Sequence, residues 1–297
     1  MLNTIDTNNF ADMAKTMGMG ADMSQNKQTA QLARLKISHS PIMGEVEVKG
    51  KKTQAAIVNG GVYRIDDLAS DAVFYSDAVT VRPYVQRFMY KKYVKPEGGK
   101  GFYVKTIMAD NLNVDLKDNM GGFNCGKPAG FVKDFQALPD KTKALLKSIK
   151  RVRVLIGTLD ATNVLDSQGN EVTDIVGLPF IWEIDNRDAF KIMGEPITKS
   201  ASMQHLPIQH TISLGSQERK LPNGNVYYLP TAKLNSDVIE VDDATQDQFG
   251  IFMQWIENYN VYIFNTWETK AQPRDDMDAS DKDAVSKLVD VEDEIPF

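Results

Sequence analysis

Short apolar stretches alternate with polar turn residues over most of the chain, from about residue 31 to residue 272. Runs in which every second residue is apolar are typical of β-strands with one buried face. Asn-Gly and similar pairs separate several of these runs, and they predict hairpins over residues 163–176 and 219–229. Many short strands with few helices favour a mainly β chain of the α+β type, with an antiparallel barrel or sandwich and long loops.

Two segments depart from this pattern and predict helices. Residues 140–150 carry an acid at the start and bases at the end, which suits the helix dipole. Residues 243–270 place apolar side chains three or four positions apart, the spacing of one helix face. We expect this face to pack against the core rather than to hold a cofactor. Its members are Phe249, Phe252, Ile256, Tyr259, Ile263 and Trp267.

Composition narrows the class of protein. The 297 residues are 42% hydrophobic and 25% charged, as is usual for a globular protein with a core of its own. No run approaches the roughly 20 apolar residues of a membrane-spanning helix, and the first 20 residues do not resemble a secretory signal. A single cysteine, Cys125, excludes a disulfide framework, and three scattered histidines argue against a structural zinc site. We therefore expect an intracellular protein in a reducing compartment, without a cofactor and without a membrane partner.

Charge is distributed unevenly along the chain. Residues 273–297 hold nine acids and three bases, which accounts for the whole net charge of −6. The rest of the chain is neutral, so the net acidity does not argue against a nucleic-acid partner for that part. We divide the chain into a flexible N-terminal arm (1–30), a folded domain (31–272) and a disordered acidic tail (273–297).

The segment from residue 81 to residue 105 combines positive charge with aromatic rings. Seven bases, six aromatic residues and one acid lie between Arg82 and Lys105. Strand alternation puts Val81, Val85 and Met89 on one face, which we expect to be buried. The opposite face then carries rings and cations, the combination that stacks on unpaired bases and neutralises phosphates. Its side chains are Arg82, Tyr84, Gln86, Phe88, Tyr90 and Lys92.

The predicted DNA-binding set extends to both strands of this hairpin. Alternation places Arg87 and Lys91 on the buried face, and a β-bulge near Pro83 would bring them to the other one. On the returning strand Tyr103 and Lys105 share a face, and we expect Tyr103 rather than Phe102 to contact DNA. The predicted DNA-binding residues are Arg82, Tyr84, Arg87, Phe88, Tyr90, Lys91, Lys92, Tyr93, Lys95, Lys100, Tyr103 and Lys105.

A second basic segment supports the same hypothesis. Arg151 and Arg153 share the outward face of a predicted strand and complete the predicted DNA-binding set, whereas Phe123 and Lys127 in a nearby loop are weaker candidates. The alternative interpretation is an amphipathic hairpin, whose aromatic residues cover a second sheet and whose lysines are merely solvated.

The chain ends in a run of carboxylates followed by Ile-Pro-Phe. The residues are Asp290, Glu292, Asp293, Glu294, Ile295, Pro296 and Phe297, and we predict that they bind a protein partner. A terminal phenylalanine with its carboxylate fits an apolar pocket rimmed by bases, and the acids steer the encounter. The same acids can compete weakly with DNA for the chain's own basic groove.

This ending resembles the acidic tip of bacterial single-stranded DNA-binding proteins. The stretch VRPYVQRFMYKKY makes the body more similar to the single-stranded DNA-binding proteins of tailed phages. The resemblance implies an elaborated OB-fold, with one long C-terminal helix, that coats single-stranded DNA in replication, recombination and repair. It also implies recruitment of replication proteins (polymerase or helicase-primase) through the tail, in the cytoplasm of the host bacterium. Self-association of the protein is left open.

Two other functions remain open at this point. No Walker A loop, GxSxG, HExxH or Rossmann fingerprint is present, so we do not expect an enzyme. A metal-dependent nuclease would use Glu47 as a magnesium ligand and Lys49 to stabilise charge, although these residues also fit an ordinary edge strand. A non-catalytic virion structural or assembly protein would use the aromatic hairpin as a protein interface, which does not explain the Ile-Pro-Phe ending.

Overall fold

A computed structural model describes residues 31–48, 50–96 and 98–271. The predicted arm and acidic tail therefore lie outside the described residues. The strands are β1 (Ala33–Ile37), β2 (Ile42–Val48), β3 (Lys51–Val58), β4 (Tyr63–Asp67), β5 (Ala72–Ser76), β6 (Ala78–Val94), β7 (Phe102–Lys105), β8 (Ile149–Thr162), β9 (Ile175–Ile184), β10 (Ile212–Lys220) and β11 (Val226–Leu234). The α-helices are α1 (Asp140–Ser148), α2 (Arg187–Ile192), α3 (Glu195–Ser202) and α4 (Asp243–Lys270).

Nine strands form one sheet, which confirms the prediction of a mainly β chain. The strand order is β11-β10-β6-β8-β9-β1-β4-β5, and β7 pairs with the far end of β6. Every pair is antiparallel except β1 with β9, which is parallel. Within the described residues β11 and β5 do not pair, so the sheet is open and the expected closed antiparallel barrel is not formed. Strands β2 and β3 form a separate hairpin.

The open sheet curls around a core that seven of its strands line. The core contains Ala33 from β1, Ile65 from β4, Leu155 from β8, Phe180 from β9 and Ile212 from β10, together with residues of β6 and β11. A side chain of β4 also contacts β10, with which β4 does not pair. The Tyr63 hydroxyl donates a hydrogen bond to the Gly215 carbonyl over 2.8 Å. We call the face of the sheet that carries this core the inner face.

A β-bulge in β6 decides which side chains reach each face of the sheet. The register pairs Pro83 with Gly157 but Val85 with Ile156, so Tyr84 has no opposite residue. Gly157 permits the close approach, because a Cβ there would lie 2.1 Å from the Arg82 carbonyl oxygen. The bulge predicted near Pro83 is thus present.

The bulge corrects the predicted assignment of faces. Val81 belongs to the core on the inner face, but Val85 and Met89, past the bulge, face the other side of the sheet. There the Tyr259 hydroxyl of α4 lies 3.7 Å from the Met89 sulfur. All three residues are buried as predicted, but on two faces instead of one. Phe88 and Tyr90 consequently lie on the inner face.

The two predicted helices are confirmed, and two short ones were not predicted. Helix α4 has the predicted bounds and begins where the Asp242 side chain accepts a hydrogen bond from the Thr245 amide. It buries Phe252 on the outer face of the sheet but leaves Phe249 exposed. Helix α1 ends at Ser148 because the chain enters β8 at Ile149. Helices α2 and α3 follow β9 and cover one end of the core through Ala189 and Met193.

Turns and loops join these elements largely as predicted. The hairpin predicted over residues 219–229 is the β10–β11 hairpin. In the 163–176 segment, a tight turn at Asp166–Asn170 sits within the β8–β9 connection. The loop from Thr106 to Pro139 packs Leu116 and Cys125 under Tyr90 in a second, smaller core. In the described part of the chain, no helix is both long and apolar enough to cross a membrane.

Candidate nucleic-acid interface

On the inner face, beyond the end of the main core, the cation of Arg153 lies against two aromatic rings. Phe88 lies opposite Arg153 in the register of β6 and β8. The guanidinium carbon of Arg153 lies 5.2 Å from the centre of the Phe88 ring and 4.5 Å from that of the Phe190 ring of α2. The centres of the two rings lie 5.9 Å apart, and the guanidinium lies close to both rings. All three side chains are partly exposed.

Neutral oxygens hold Arg153 in position. Its Nε donates to the Phe190 carbonyl over 3.0 Å, and a terminal nitrogen donates to the side-chain oxygen of Gln86. Burial lowers the pKa of Arg153 to about 10. The side chain therefore stays charged at neutral pH. Among the described residues no carboxylate pairs with it. A partly desolvated cation without a counter-ion favours an anionic ligand.

A groove of about 540 Å³ opens beside this cation. Gly194 lies between α2 and α3, and a Cβ there would lie 2.5 Å from a terminal nitrogen of Arg153. Glycine at this position therefore lets the guanidinium lie against the chain. The groove contains three bases and one acid. We call it the Arg153 groove, and it is lined by Arg153, Lys191, Gly194, Glu195, Thr198, Lys199 and Ser202.

A second group of cations lies two residues along the same strand. Arg151 is exposed on the inner face, opposite Tyr90. The ammonium of Lys127 lies 5.4 Å from the centre of the Tyr90 ring. Burial lowers the pKa of Lys127 to about 8, and the neighbouring charge of Arg151 adds to this effect. Lys127, which the sequence placed among the weaker candidates, therefore lies beside a predicted DNA-binding residue.

Tyr90 itself is not available to stack on a base. Its side chain is only 2% exposed, and its hydroxyl donates a 3.0 Å hydrogen bond to the Leu112 carbonyl. The loop that follows β7 covers the ring. Alternation gave Tyr90 the correct face, but the sequence did not show that a loop packs on it. The structure thus corrects its predicted role from base stacking to support of the Lys127 side chain.

On the outer face, acidic side chains form ion pairs with two of the lysines that we predicted to bind DNA. Lys91 lies 3.5 Å from Glu183 and 3.1 Å from Asp185, and Lys105 lies 2.6 Å from Glu183. Lys150 also pairs with Asp185. Lys91 is only 9% exposed. Two acids thus offset most of the charge of these three lysines, which therefore provide little free positive charge for phosphate.

Three further predicted residues have structural contacts on the outer face. The Tyr84 ring packs edge-on against Phe252 of α4, with ring centres 5.2 Å apart. The Arg82 guanidinium donates a 2.7 Å hydrogen bond to the Ile208 carbonyl. Arg87 pairs with the exposed Asp110 at 3.3 Å. These contacts tie β6 to α4 and the adjoining loops, and only part of each side chain reaches solvent.

The end of the β6–β7 hairpin forms a separate exposed patch. Tyr93 and Tyr103 are about half exposed, and their ring centres lie 5.1 Å apart. Lys95 and Lys100 are exposed in the connecting turn, and Lys92 is half-buried on the inner side. The structure therefore divides the predicted set between this hairpin tip, the inner-face cations and the ion-paired outer face.

Sequence analysis missed Phe190, Lys191 and Lys199 because it missed the helices that carry them. A signal for α2 was present, because Asn186 accepts hydrogen bonds from the amides of Asp188 and Ala189 as an N-cap. The position of Phe190 against Phe88 depends on the fold, since about 100 residues separate the two rings in sequence.

The alternative nuclease site gains no metal ligands from the fold. Glu47 lies exposed on β2, in the separate hairpin, and Lys49 lies outside the described residues. In the part of the chain that the structure describes, no group of three or more His, Cys, Asp or Glu side chains is arranged to hold a metal ion. The predicted tail residues, Asp290, Glu292, Asp293, Glu294, Ile295, Pro296 and Phe297, also lie outside the described range.

Comparison with known proteins gives no family. No protein-family model matches the chain, and neither a curated protein nor a solved structure matches it.

Proposed function

We propose that this protein binds single-stranded DNA without strong sequence preference and without catalysing a reaction. The observation that carries the proposal is the Arg153 guanidinium, which lies against the rings of Phe88 and Phe190 and has no acidic partner in the described structure. Arg151 lies two residues along the same strand face, about 7 Å away. A backbone of phosphates lying along β8 would meet both cations, while its bases reach the exposed edges of the rings.

The same arrangement favours a single strand over a duplex. The rings of Phe88 and Phe190 are useful only to bases whose faces are free, because paired bases are already stacked. Stacking depends on the π-face that every base has, so the interface would tolerate many sequences. The tip patch at Tyr93 and Tyr103 offers a second pair of rings, with Lys95 and Lys100 beside it.

The sequence resemblance supports the wider biological setting that we propose. In it, the protein coats single-stranded DNA during phage replication, recombination and repair in the host cytoplasm, and its tail recruits polymerase or helicase-primase. The seven strands around the main core fit an OB-fold derivative whose barrel has opened between β11 and β5. That relationship is part of the proposal.

Fluorescence titration with a labelled oligo-dT and with the matching duplex, at low and moderate salt, tests the function. We expect tighter binding of the single strand and a log–log salt slope of about −0.7 for each phosphate neutralised. The double variant Arg151→Met/Arg153→Met should bind at least 10-fold more weakly, with a slope smaller by about 1.4. Lys105→Met, which removes a charge from the ion-paired outer face, is the matched control and should bind nearly as the original protein does.

Two results would count against the proposal. If neither the full chain nor a chain ending at residue 272 bound oligo-dT at low salt, single-strand binding would be rejected. If Lys105→Met weakened binding as strongly per charge as the double variant, the inner-face cations would have no special role, and the assignment of the interface to that face would be rejected.

One observation favours a protein partner as a second function. Helix α4 exposes Val261, Tyr262 and Phe264, and a largely apolar groove of about 670 Å³ lies between α4 and β6. Exposed apolar patches of this kind often mark sites of protein–protein contact. A virion assembly protein would use this groove, and it would then fail the oligo-dT titration.

A further inference from the structure

Lys127 and Arg151 form a pair of like charges at the end of the inner face. The Lys127 ammonium lies over the Tyr90 ring, and Arg151 lies opposite Tyr90 on the neighbouring strand, so both cations lie next to Tyr90. Arg151 is the only charged group among the described residues that affects the pKa of Lys127. Neither cation forms an ion pair with a described carboxylate. Two neighbouring cations of which one is partly buried are unfavourable without an anion between them.

The nearby acids are engaged elsewhere. The Asp118 carboxylate accepts hydrogen bonds from the amides of Met120, Gly122 and Cys125. Asp115 accepts from the side chain of Asn124. Both acids therefore shape the loop and do not balance Lys127.

The backbone before Lys127 is held in an uncommon conformation. Asn124, Cys125 and Gly126 all have positive φ angles, of 52°, 55° and 91°. The first two cost free energy in this left-handed region, because they carry a Cβ. The Asn124 side chain accepts a 2.7 Å hydrogen bond from the Leu116 amide, and both Asn124 and Cys125 are buried. Strained conformations that the surrounding structure enforces are typical of functional sites.

The Lys127 side chain still reaches solvent, because no buried side-chain nitrogen in the described structure lacks a hydrogen-bond partner. A ligand can therefore approach from outside. The Arg151 guanidinium offers a planar fork that suits two oxygens of one group, and the Lys127 ammonium adds a compact charge. A phosphate group can place one or two oxygens on this fork and still offer an oxygen to the ammonium.

We propose that Lys127 and Arg151 form a phosphate-binding site beside Tyr90, in which the turn at residues 124–126 positions Lys127. This inference rests on the proposed function, which determines the natural source of the phosphate. The source is then either a phosphodiester within the bound strand or the phosphate at its 5′ end. The chemistry is the same in both cases, because either group places oxygens between the two cations.

The site is tested first with inorganic phosphate and the full-length protein. We expect phosphate to raise the titration midpoint of Lys127, followed through the ¹³C signal of its side chain, by about one pH unit, which corresponds to a 10-fold preference of the anion for the charged lysine. Arg151→Met should abolish that shift. Lys105→Met is the control and should keep it. A Lys127 signal that phosphate leaves unchanged in the original protein would overturn the proposal.

Oligonucleotides then distinguish the two sources of phosphate. Oligo-dT with and without a 5′-phosphate is titrated against the original protein, Lys127→Met and Lys127→Arg. If the 5′-phosphate improves binding and Lys127→Met removes the improvement, the site takes the strand end. If Lys127→Met weakens both oligonucleotides equally, about 3- to 10-fold, and Lys127→Arg restores most of the loss, the site takes an internal phosphodiester.

The two proposals fail in different ways. If inorganic phosphate shifts Lys127 but no oligonucleotide binds, the proposed function is wrong while the phosphate site stands. If oligo-dT binds tightly and neither phosphate nor Lys127→Met has an effect, the single-strand function stands and the phosphate site is wrong.

Discussion

Gly194 illustrates how a single residue positions the proposed interface. Its φ angle is an ordinary −79°, so the backbone does not require glycine there. The requirement comes from Arg153, whose terminal nitrogen lies 2.5 Å from the place of an added Cβ. A flexible side-chain end can move away from such a contact at little cost. Substitution should therefore displace the guanidinium from its stacked position and leave the fold intact.

We predict that Gly194→Ala weakens oligo-dT binding several-fold while changing the unfolding midpoint by little. The effect acts through Arg153, so Arg153→Met should weaken binding as well, and adding Gly194→Ala to it should cause no further loss. Oligo-dT titration of the four proteins in this cycle, with urea unfolding of each, measures both quantities. Additive losses in the double variant would show that Gly194 acts independently of Arg153.

The charge of Lys127 should lower the free energy of unfolding of the protein. Its pKa is about 8 in the folded protein against 10.5 for a free lysine, so the folded state disfavours the charged form. Between these two pH values the unfolded chain binds more protons, and the free energy of unfolding should rise with pH. Below about pH 8 the full penalty is present.

We predict that Lys127→Met is more stable than the original protein at pH 7, and that this difference shrinks as pH rises from 8 to 10.5. Urea unfolding at several pH values between 6.5 and 10.5, compared between the two proteins, measures it. Lys143→Met is the control, because Lys143 has an acidic partner in α1 at 3.3 Å. A stability difference that does not depend on pH would mean that the Lys127 charge is not strained.

At the level of elements, the bulge in β6 organises the site. It shifts the alternation by one residue, so that Phe88 faces inward with Arg153 while Arg87 faces α4. Without it, Tyr84 at the bulge and Phe88 beyond it would share a face, as the sequence suggested. The close approach of β6 to β8 that the bulge requires is possible only at a residue without a side chain, which is Gly157.

We predict that Gly157→Ala destabilises the protein by about 2 kcal/mol or more, because the new Cβ would meet backbone rather than a movable side chain. Gly250→Ala, in α4, is the matched control, because no atom lies within 4 Å of its added Cβ. There the substitution should stabilise by about 0.5–1 kcal/mol through helix propensity. Urea unfolding measures both changes. Equal stability of Gly157→Ala and the original protein would contradict the role assigned to the bulge.

The same elements show what the sequence can reveal. Periodicity predicted α4, because six apolar positions repeat over about five turns, and turn residues predicted the β10–β11 hairpin. Ionic partners were not predictable in this way. Lys91 and Lys105 are neutralised by Glu183 and Asp185, which lie 78 to 94 residues further along the chain. The same is true of Tyr90, since a loop without periodicity covers it.

For the whole molecule, charge is separated between a neutral body and an acidic tail. The inner face of the body gathers Lys127, Arg151 and Arg153 without acidic partners among the described residues, while the outer face pairs its lysines with acids. An acidic tail would therefore be attracted mainly to the inner face, where it would compete with DNA. This competition is electrostatic and should weaken as salt screens it, with a screening length of about 10 Å at 0.1 M.

We predict that removing residues 290–297 leaves oligo-dT binding intact or makes it several-fold tighter at low salt, with a smaller difference at moderate salt. The fold should not change, because the last described helix ends at Lys270. Fluorescence titration of the two proteins at both salt concentrations measures the effect.

A chain of full length in which Asp290, Glu292, Asp293 and Glu294 are replaced by their amides separates charge from length, and should bind as the shortened chain does. Phe297→Ala keeps all four acids and should leave DNA binding unchanged while reducing recruitment of a replication partner. Weaker DNA binding by the shortened chain would show that the tail contributes to the DNA complex, and competition would be rejected.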